Sequence, residues 1–183
     1  MIITITGKPC SGKGTVSKLI CSKHNFEYVC TGDMFRSLAK KNGYDSILEF
    51  QQNEDVTKID YEIDNQIAEL GRKKANEDIL IDSRLAWHFV PKSFKVFIDI
   101  DWKTAGERLL NSKRETEQAK NLRHAIHTLK NRWKTENKRY KKIYKIDNLN
   151  SKNYDFIISS KDLTPNQVAD AIMEAYIDFV QNA

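Results

Sequence analysis

The turn between the first apolar run and the first helical stretch, Gly7-Lys-Pro-Cys-Ser-Gly-Lys-Gly-Thr15, restricts the fold more than any other part of this chain. Gly7 and Gly12 bracket four residues and Lys13 follows at once. That spacing lets successive backbone N–H groups converge on one anion at the positive N-terminus of a helix. Lys13 adds a point charge suited to the outer phosphates of a nucleotide. A plain strand-to-helix turn needs neither two spaced glycines nor a lysine set into it. Gly7, Lys8, Pro9, Cys10, Ser11, Gly12, Lys13, Gly14 and Thr15 are therefore the first candidate site, a phosphate cradle. The strict pattern places Ser or Thr directly after the lysine. Here Gly14 intervenes before Thr15, which weakens direct hydroxyl ligation of magnesium and leaves the cradle intact.

Five short apolar runs, at 2–6, 26–30, 79–82, 95–100 and 154–159, read as strands. Helix-length segments separate them and no hairpin-sized turn joins any two, so the pattern predicts a parallel sheet wrapped by helices on both faces. Ligands of such sheets bind beyond the carboxyl ends of the strands. Ile59, Ile63, Ile67 and Leu70 recur at helical spacing. Thr164-Pro165-Asn166-Gln167 is a capping box launching a closing helix through Val168, Ile172, Ala175, Tyr176 and Phe179. Asp60 and Asp64 read first as the polar face of the helix that carries the isoleucines.

The 183 residues suit one domain. No apolar run approaches the ~18 residues that cross a bilayer, and the three cysteines, Cys10, Cys21 and Cys30, have no paired or metal-like spacing. A cytoplasmic protein without structural metal is expected. His124 and His127 lie three apart without carboxylate or thiol partners. The net charge is +5. Residues 102–145 hold 14 Lys or Arg against 4 Glu, a surplus of 10, so the remainder is net −5. The basic third marks a polyanion surface, for nucleic acid or for clustered phosphates.

Arginine is sparse, 8 residues against 22 lysines, and its planar fork alone grips phosphate or carboxylate bidentately. Arg36 follows the second strand, Arg84 the third, and Arg108 and Arg114 lie on the helix after the fourth. Arg132 and Arg139 are seven apart, two helical turns, hence on one face. Arg72 and Arg123 read as surface residues. Glu136, four after Arg132 and three before Arg139, is either an exposed helical ion pair worth tenths of a kcal/mol or an acceptor for sugar hydroxyls. Spacing alone leaves both open.

In this order, the segments 7–15, 31–36, 59–64, 82–85, 107–108, 132–140 and 154–156 resemble the nucleoside monophosphate kinases, and most closely the short archaeal type of cytidylate kinase. The resemblance covers nearly the whole length. It implies a P-loop α/β fold with a five-stranded parallel sheet, a core of 1–42, 76–111 and 146–183, an acceptor-binding helical insertion at about 43–75, and a lid with basic helices at about 112–145. It implies that Lys13 and the loop 7–15 hold ATP, with Arg108 and Arg114 on the ATP side. Thr31, Asp33, Arg36, Arg84, Arg132 and Glu136 would serve the acceptor. Lys13, Arg84, Arg132 and Arg139 would act in catalysis. Asp82, ending the third strand, and Thr15 would organise Mg²⁺ through water. The implied reaction is in-line transfer from ATP·Mg²⁺ to CMP or dCMP by a monomer, with no nucleic-acid or membrane partner.

Three positions depart from the family pattern: Cys10 where a small residue is usual, Ser83 for the glycine between Asp82 and Arg84, and Leu85 where bacterial relatives often carry Asp. The stretch 31–36 is equally similar to adenylate kinases, so AMP and UMP remain alternative acceptors. The arginines argue against an uncharged alcohol. Cytosine selection needs an acceptor opposite its amino group, which Asp60 or Asp64 would offer. Outside this class, the run 132–145, with Trp133, Tyr140 and Tyr144 among seven basic residues, fits an RNA-binding face without kinase activity. A nucleotide sensor that binds ATP without transfer is a further reading.

Overall fold

The computed structural model describes residues 1–44, 56–112 and 119–182. Five parallel strands form one sheet: β1 (Ile2–Gly7), β2 (Glu27–Cys30), β3 (Ile79–Asp82), β4 (Phe94–Asp99) and β5 (Phe156–Ser159), in the order β2-β3-β1-β4-β5. β1 is central, in register with β3 from Ile2–Ile79 to Ile5–Asp82 and with β4 from Ile3–Phe94 to Gly7–Ile98. The helices are α1 (Lys13–His24), α2 (Thr31–Lys41), α3 (Val56–Lys73), α4 (Ala86–Phe89), α5 (Trp102–Leu110), α6 (Leu122–Tyr144) and α7 (Pro165–Gln181).

Both faces of the central strands are covered, as their apolar residues on both sides require. Ile3, Ile5, Leu80, Val96 and Ile98 meet Val16 and Ile20 of α1 and Val168, Ile172 and Met173 of α7. On the other face Ile2, Ile79 and Ile81 meet Ile67 of α3, Ala86 and Val90. Beside them Phe97 joins Trp87, Trp133 and Tyr154 in an aromatic cluster that seats α6. Burying each of these aliphatic side chains contributes about 1.5–3 kcal/mol.

The alternation along β1 places Thr4 and Thr6 on the second face, both buried. Thr4 shares a 3.0 Å hydrogen bond with Ser93, and Thr6 donates to the Arg84 carbonyl at 3.0 Å. The second bond ties the peptide after β3 to the central strand.

Strand limits differ slightly from the sequence reading. Tyr154 lies outside β5 because its hydroxyl donates to the Asn148 carbonyl and side chain at 2.8 and 2.9 Å, which turns the residue into the aromatic cluster. Ile100 and Phe26 likewise fall just beyond their ladders while remaining buried. Part of the 43–75 segment (45–55) and part of the 112–145 segment (113–118) lie outside the described residues.

The capping box at α7 is present in full: Thr164 accepts from the Gln167 N–H, and the Gln167 side chain accepts from the Thr164 N–H. Thr164→Ala is expected to cost about 1 kcal/mol and to lower Tm by roughly 2–4 °C, read by thermal denaturation. An unchanged Tm would show that the box contributes nothing.

Candidate active site

The site lies at the carboxyl edge of the sheet. Gly7 ends β1 at φ +152°, and a Cβ there would stand 2.1 Å from the Ile98 carbonyl oxygen of the neighbouring strand, so only glycine fits. Gly12 caps α1 in the left-handed region at φ +88°. Cys10 also adopts a left-handed conformation, φ +61°, which costs a residue with a Cβ about 1 kcal/mol. The usual small residue at this position thus has a conformational reason. Ser11 is buried, and its N–H donates to the Lys8 carbonyl at 3.3 Å.

Two basic side chains brace the loop from below. Lys8 pairs with Asp99 at 2.7 Å, donates to the Ile100 carbonyl and lies over the Trp102 ring. Arg108 of α5 donates to the Cys10 carbonyl at 3.4 Å and to Ser160 through both its hydroxyl and carbonyl, at 3.1 and 2.6 Å. Arg108 therefore stands beside the loop, bonded to its Cys10 carbonyl. Arg114 lies outside the described residues.

Lys13 folds back over the loop, its Nζ donating to the Gly7 and Lys8 carbonyls at 3.3 and 3.4 Å. Burial, then the nearby Arg84 guanidinium, lowers its pKa to about 7, against the opposing pull of Asp82 and Glu136. This amine contributes stability in full only above its ordinary 10.5, and that contribution is lost as pH falls through about 7. A cation so strained favours an arriving anion.

Arg84 and Arg132 converge on one carboxylate. Arg84 Nε donates to Glu136 Oε2 at 3.0 Å and its Nη1 to the Gly7 carbonyl at 2.6 Å, while its guanidinium covers the Trp133 ring at 5.6 Å. Arg132 Nε donates to Glu136 Oε1 at 3.0 Å. Glu136 is only 14% exposed and Arg84 18%. Burial pushes the Glu136 carboxyl up, but Arg84, Arg132 and Lys13 together hold it below the ordinary carboxylate range. The helical pair with Arg132 is present, and Glu136, largely covered, is in addition the meeting point of a second arginine, Arg84.

Arg139 points elsewhere. It pairs with Asp60 of α3 at 2.7 Å and covers the Tyr140 ring at 5.3 Å. Asp60 and Asp64 are buried rather than solvated, which corrects the polar-face reading of α3. Arg36 pairs with Asp33 one turn away on the exposed side of α2, and Thr31 donates to the Asp82 carbonyl at 3.4 Å. The four arginines therefore do not form one cluster in this conformation: Arg84 and Arg132 gather near Lys13, and Arg36 and Arg139 are held by carboxylates of their own.

Asp82 Oδ2 accepts from the Tyr28 hydroxyl at 3.4 Å and lies 3.6 Å from where a Cβ of Gly14 would sit. It faces the first turn of α1, with Thr15 exposed one residue on. Among the described residues no group of three His, Cys, Asp or Glu side chains is placed to cage a metal. One carboxylate and one hydroxyl beside a phosphate cradle fit Mg²⁺, which keeps most of its waters and takes the rest of its ligands from phosphates. Ser83 accepts the Leu85 N–H at 3.3 Å, and Leu85 is buried in the core.

A model of the AAA domain family matches residues 3–148. The cytidylate kinase of Methanococcus aeolicus is 35% identical over 162 residues, covering 87% of this chain and 88% of that protein. The chain belongs to the cytidylate kinase-like nucleoside monophosphate kinases. This family resemblance extends to an S-adenosylmethionine-dependent nucleotide dehydratase of Lacinutrix mariniflava, 35% identical over 176 residues, 95% of this chain but only 35% of that protein. The chain thus spans about a third of the dehydratase. In fold, shikimate kinase from Aquifex aeolicus superposes with a TM-score of 0.63 at 19% identity, over the full length of both chains. The expected P-loop α/β architecture is therefore observed.

Sequence reasoning missed Ser160 at Arg108 and Tyr28 at Asp82, and it gave Trp133 and Asp60 other roles than contacting Arg84 and Arg139. Ser160 follows β5 directly, so its place at the sheet's carboxyl edge was the available signal. The others depend on tertiary contacts. The kinase family's donor product offers a probe of Lys13. At pH 8, well above the free amine's value of about 7, ADP binding is expected to take up close to one proton as the phosphates restore the ammonium. Calorimetry in buffers of different ionisation enthalpy reads this uptake, and Lys13→Met should abolish it. Binding without proton uptake would place Lys13 away from the phosphates.

Proposed function

We propose that this chain transfers the γ-phosphoryl group of ATP to a nucleoside monophosphate, with CMP or dCMP as the acceptor. The convergence of Lys13, Arg84 and Arg132 on Glu136 beside a glycine-bracketed phosphate loop carries the reading. The acceptor phosphate is already an anion, so attack on the γ-phosphoryl needs little help from a base. What hinders the reaction is repulsion between two polyphosphates that must approach in line. Fixed cations at their meeting point reduce that repulsion most where charge spreads in the transition state.

In this mechanism the backbone of 7–15 and Lys13 hold the donor phosphates, and Arg108 keeps the loop in shape. Arg84, fixed by the Gly7 carbonyl, Glu136 and the Trp133 face, meets the transferring group, with Arg132 beside it and Arg139 joining from α6. Thr31, Asp33 and Arg36 lie on the acceptor side. Asp82 and Thr15 would hold Mg²⁺ through water, and the bound ion supplies further neutralisation of the β- and γ-oxygens. Closure of the lid that the family resemblance implies would exclude water and suppress hydrolysis of ATP. The cytosine preference rests on the named activity of the archaeal relatives, and AMP and UMP remain the rival acceptors. No helix among the described residues is long and apolar enough to span a membrane.

Coupled measurement of ADP formation with ATP·Mg²⁺ and each of CMP, dCMP, UMP, AMP and GMP tests the proposal. CMP or dCMP should give the highest kcat/KM. Arg84→Ala should retain the fold and lose about 10²–10³ in kcat, the usual scale for one transition-state donor. ATP binding without ADP formation for every acceptor would favour a sensor. Salt-sensitive RNA retention by an inactive protein would favour the RNA-binding reading.

A further inference from the structure

The helices α3 and α6 meet through charged and hydroxyl groups that are buried, where aliphatic packing would be the ordinary solution. Asp60 is 5% exposed and Asp64 8%. Arg139 Nε lies 2.7 Å from Asp60 Oδ2, and the Tyr144 hydroxyl donates to Asp64 Oδ2 at 2.5 Å. Asp60 and Asp64 are one helical turn apart, whereas Arg139 and Tyr144 are five residues apart, about 1.4 turns, so they reach α3 from different sides of α6. Two contacts at separate points along the seam set the separation of the two helices. Around Tyr144 the aromatic rings of Tyr61, Phe89 and His88 close the lower tie.

A buried ion pair of this kind is weak evidence for stability, because desolvation offsets much of the attraction. Its geometric consequence is stronger. Removing either partner leaves the other charged in an apolar setting, so the two helices are held in register or not at all. Arg139 stands one turn from Glu136, which already carries Arg84 and Arg132. The position of α3 is thus mechanically linked to the cations at the phosphate loop.

We propose that Asp60 is a positioning residue for phosphoryl transfer: its carboxylate holds Arg139, and with the Asp64–Tyr144 tie it makes docking of α3 and alignment of the arginine face of α6 one event. The inference rests on the kinase reading above. It assigns Asp60 no contact with the reacting atoms.

The groups facing Asp60 are Arg139 and Glu136 from α6 and Asp64 from α3. Burial raises both aspartates to about 6, against the pull of Arg139 on Asp60 and of the Tyr144 hydroxyl on Asp64. Glu136 is held in the opposite direction. Protonation near pH 6 thus loosens the α3–α6 ties and leaves the Glu136 cluster charged.

Asp60→Asn, Asp60→Glu and Tyr144→Phe are compared with the wild type by steady-state kinetics across pH 5–8 and by amide hydrogen exchange of α6. Thermal melts identify any variant that fails to fold, and Tyr144→Phe keeps the test open should Asp60→Asn do so. Expected for Asp60→Asn is a fall in kcat approaching 10²-fold, the scale of a displaced catalytic group, with the KM for ATP unchanged. The acidic limb of kcat near pH 6 should shrink while the part owed to Asp64 remains, Asp60→Glu should recover part of the rate, and exchange around Arg139 should quicken. An unchanged or increased kcat, or unchanged exchange around Arg139, overturns the proposal. If the wild type phosphorylates no acceptor, the kinase reading fails by itself. The tie is then judged by hydrogen exchange: unchanged protection of α6 in folded Asp60→Asn and Tyr144→Phe refutes it, and faster exchange upholds the mechanical link.

Discussion

Mutual repulsion among Lys13, Arg84 and Arg132, offset by the carboxylates of Asp82 and Glu136, is the interaction on which the rest of the site depends. Three cations gathered at one end of a sheet are unstable without a counter-charge, and the surrounding burial makes them more so. Glu136 supplies part of that charge from a helix, in a conformation that leaves Lys13 under-compensated. This charge arrangement favours an anion beside Lys13. The fold contributes the rest: β1 ends in a glycine that only a Cβ-free residue can occupy, and Thr6 anchors the peptide of Arg84 to the same strand.

The arginines differ in how firmly they are held, and this gives the site a direction. Arg84 has three kinds of support, from a carbonyl, a carboxylate and an indole face. Arg132 is 44% exposed and leans on Glu136 from the outside. Arg139 belongs to the α3–α6 seam, and Arg36 to the first turn of α2. Two arginines at the phosphate loop and two held by carboxylates of their own leave the guanidinium groups at different distances from Lys13. The basic third of the chain follows the same logic. Its exposed lysines lie along α6, whose apolar side, Ala125, Leu129 and Trp133, is buried.

Much of this was legible in the sequence because it rests on local rules. The strand limits came within two residues, since continuous apolar runs admit little else in a doubly covered sheet. The capping box at Thr164 and the loop at Gly7 were readable for the same reason: each is specified by neighbours in the chain. The role of Glu136 was only half visible. Helical spacing showed that it meets Arg132, but its partner Arg84 lies 52 residues away and arrives through the sheet. Asp60 and Asp64 were misjudged as a polar face because period alone cannot tell a solvated carboxylate from one buried against an arginine. Their partners, Arg139 and Tyr144, are about 80 residues on.

The most direct test of the cation cluster is a crystal structure with ADP, Mg²⁺, a planar metal fluoride and CMP bound together. The account predicts that the Arg84 and Arg132 guanidinium groups and the Lys13 ammonium lie within about 3 Å of the fluoride, with Glu136 still bonded to at least one of the arginines. Finding Arg84 turned away from the fluoride, its Glu136 and Gly7 bonds unchanged and water in its place, would contradict it.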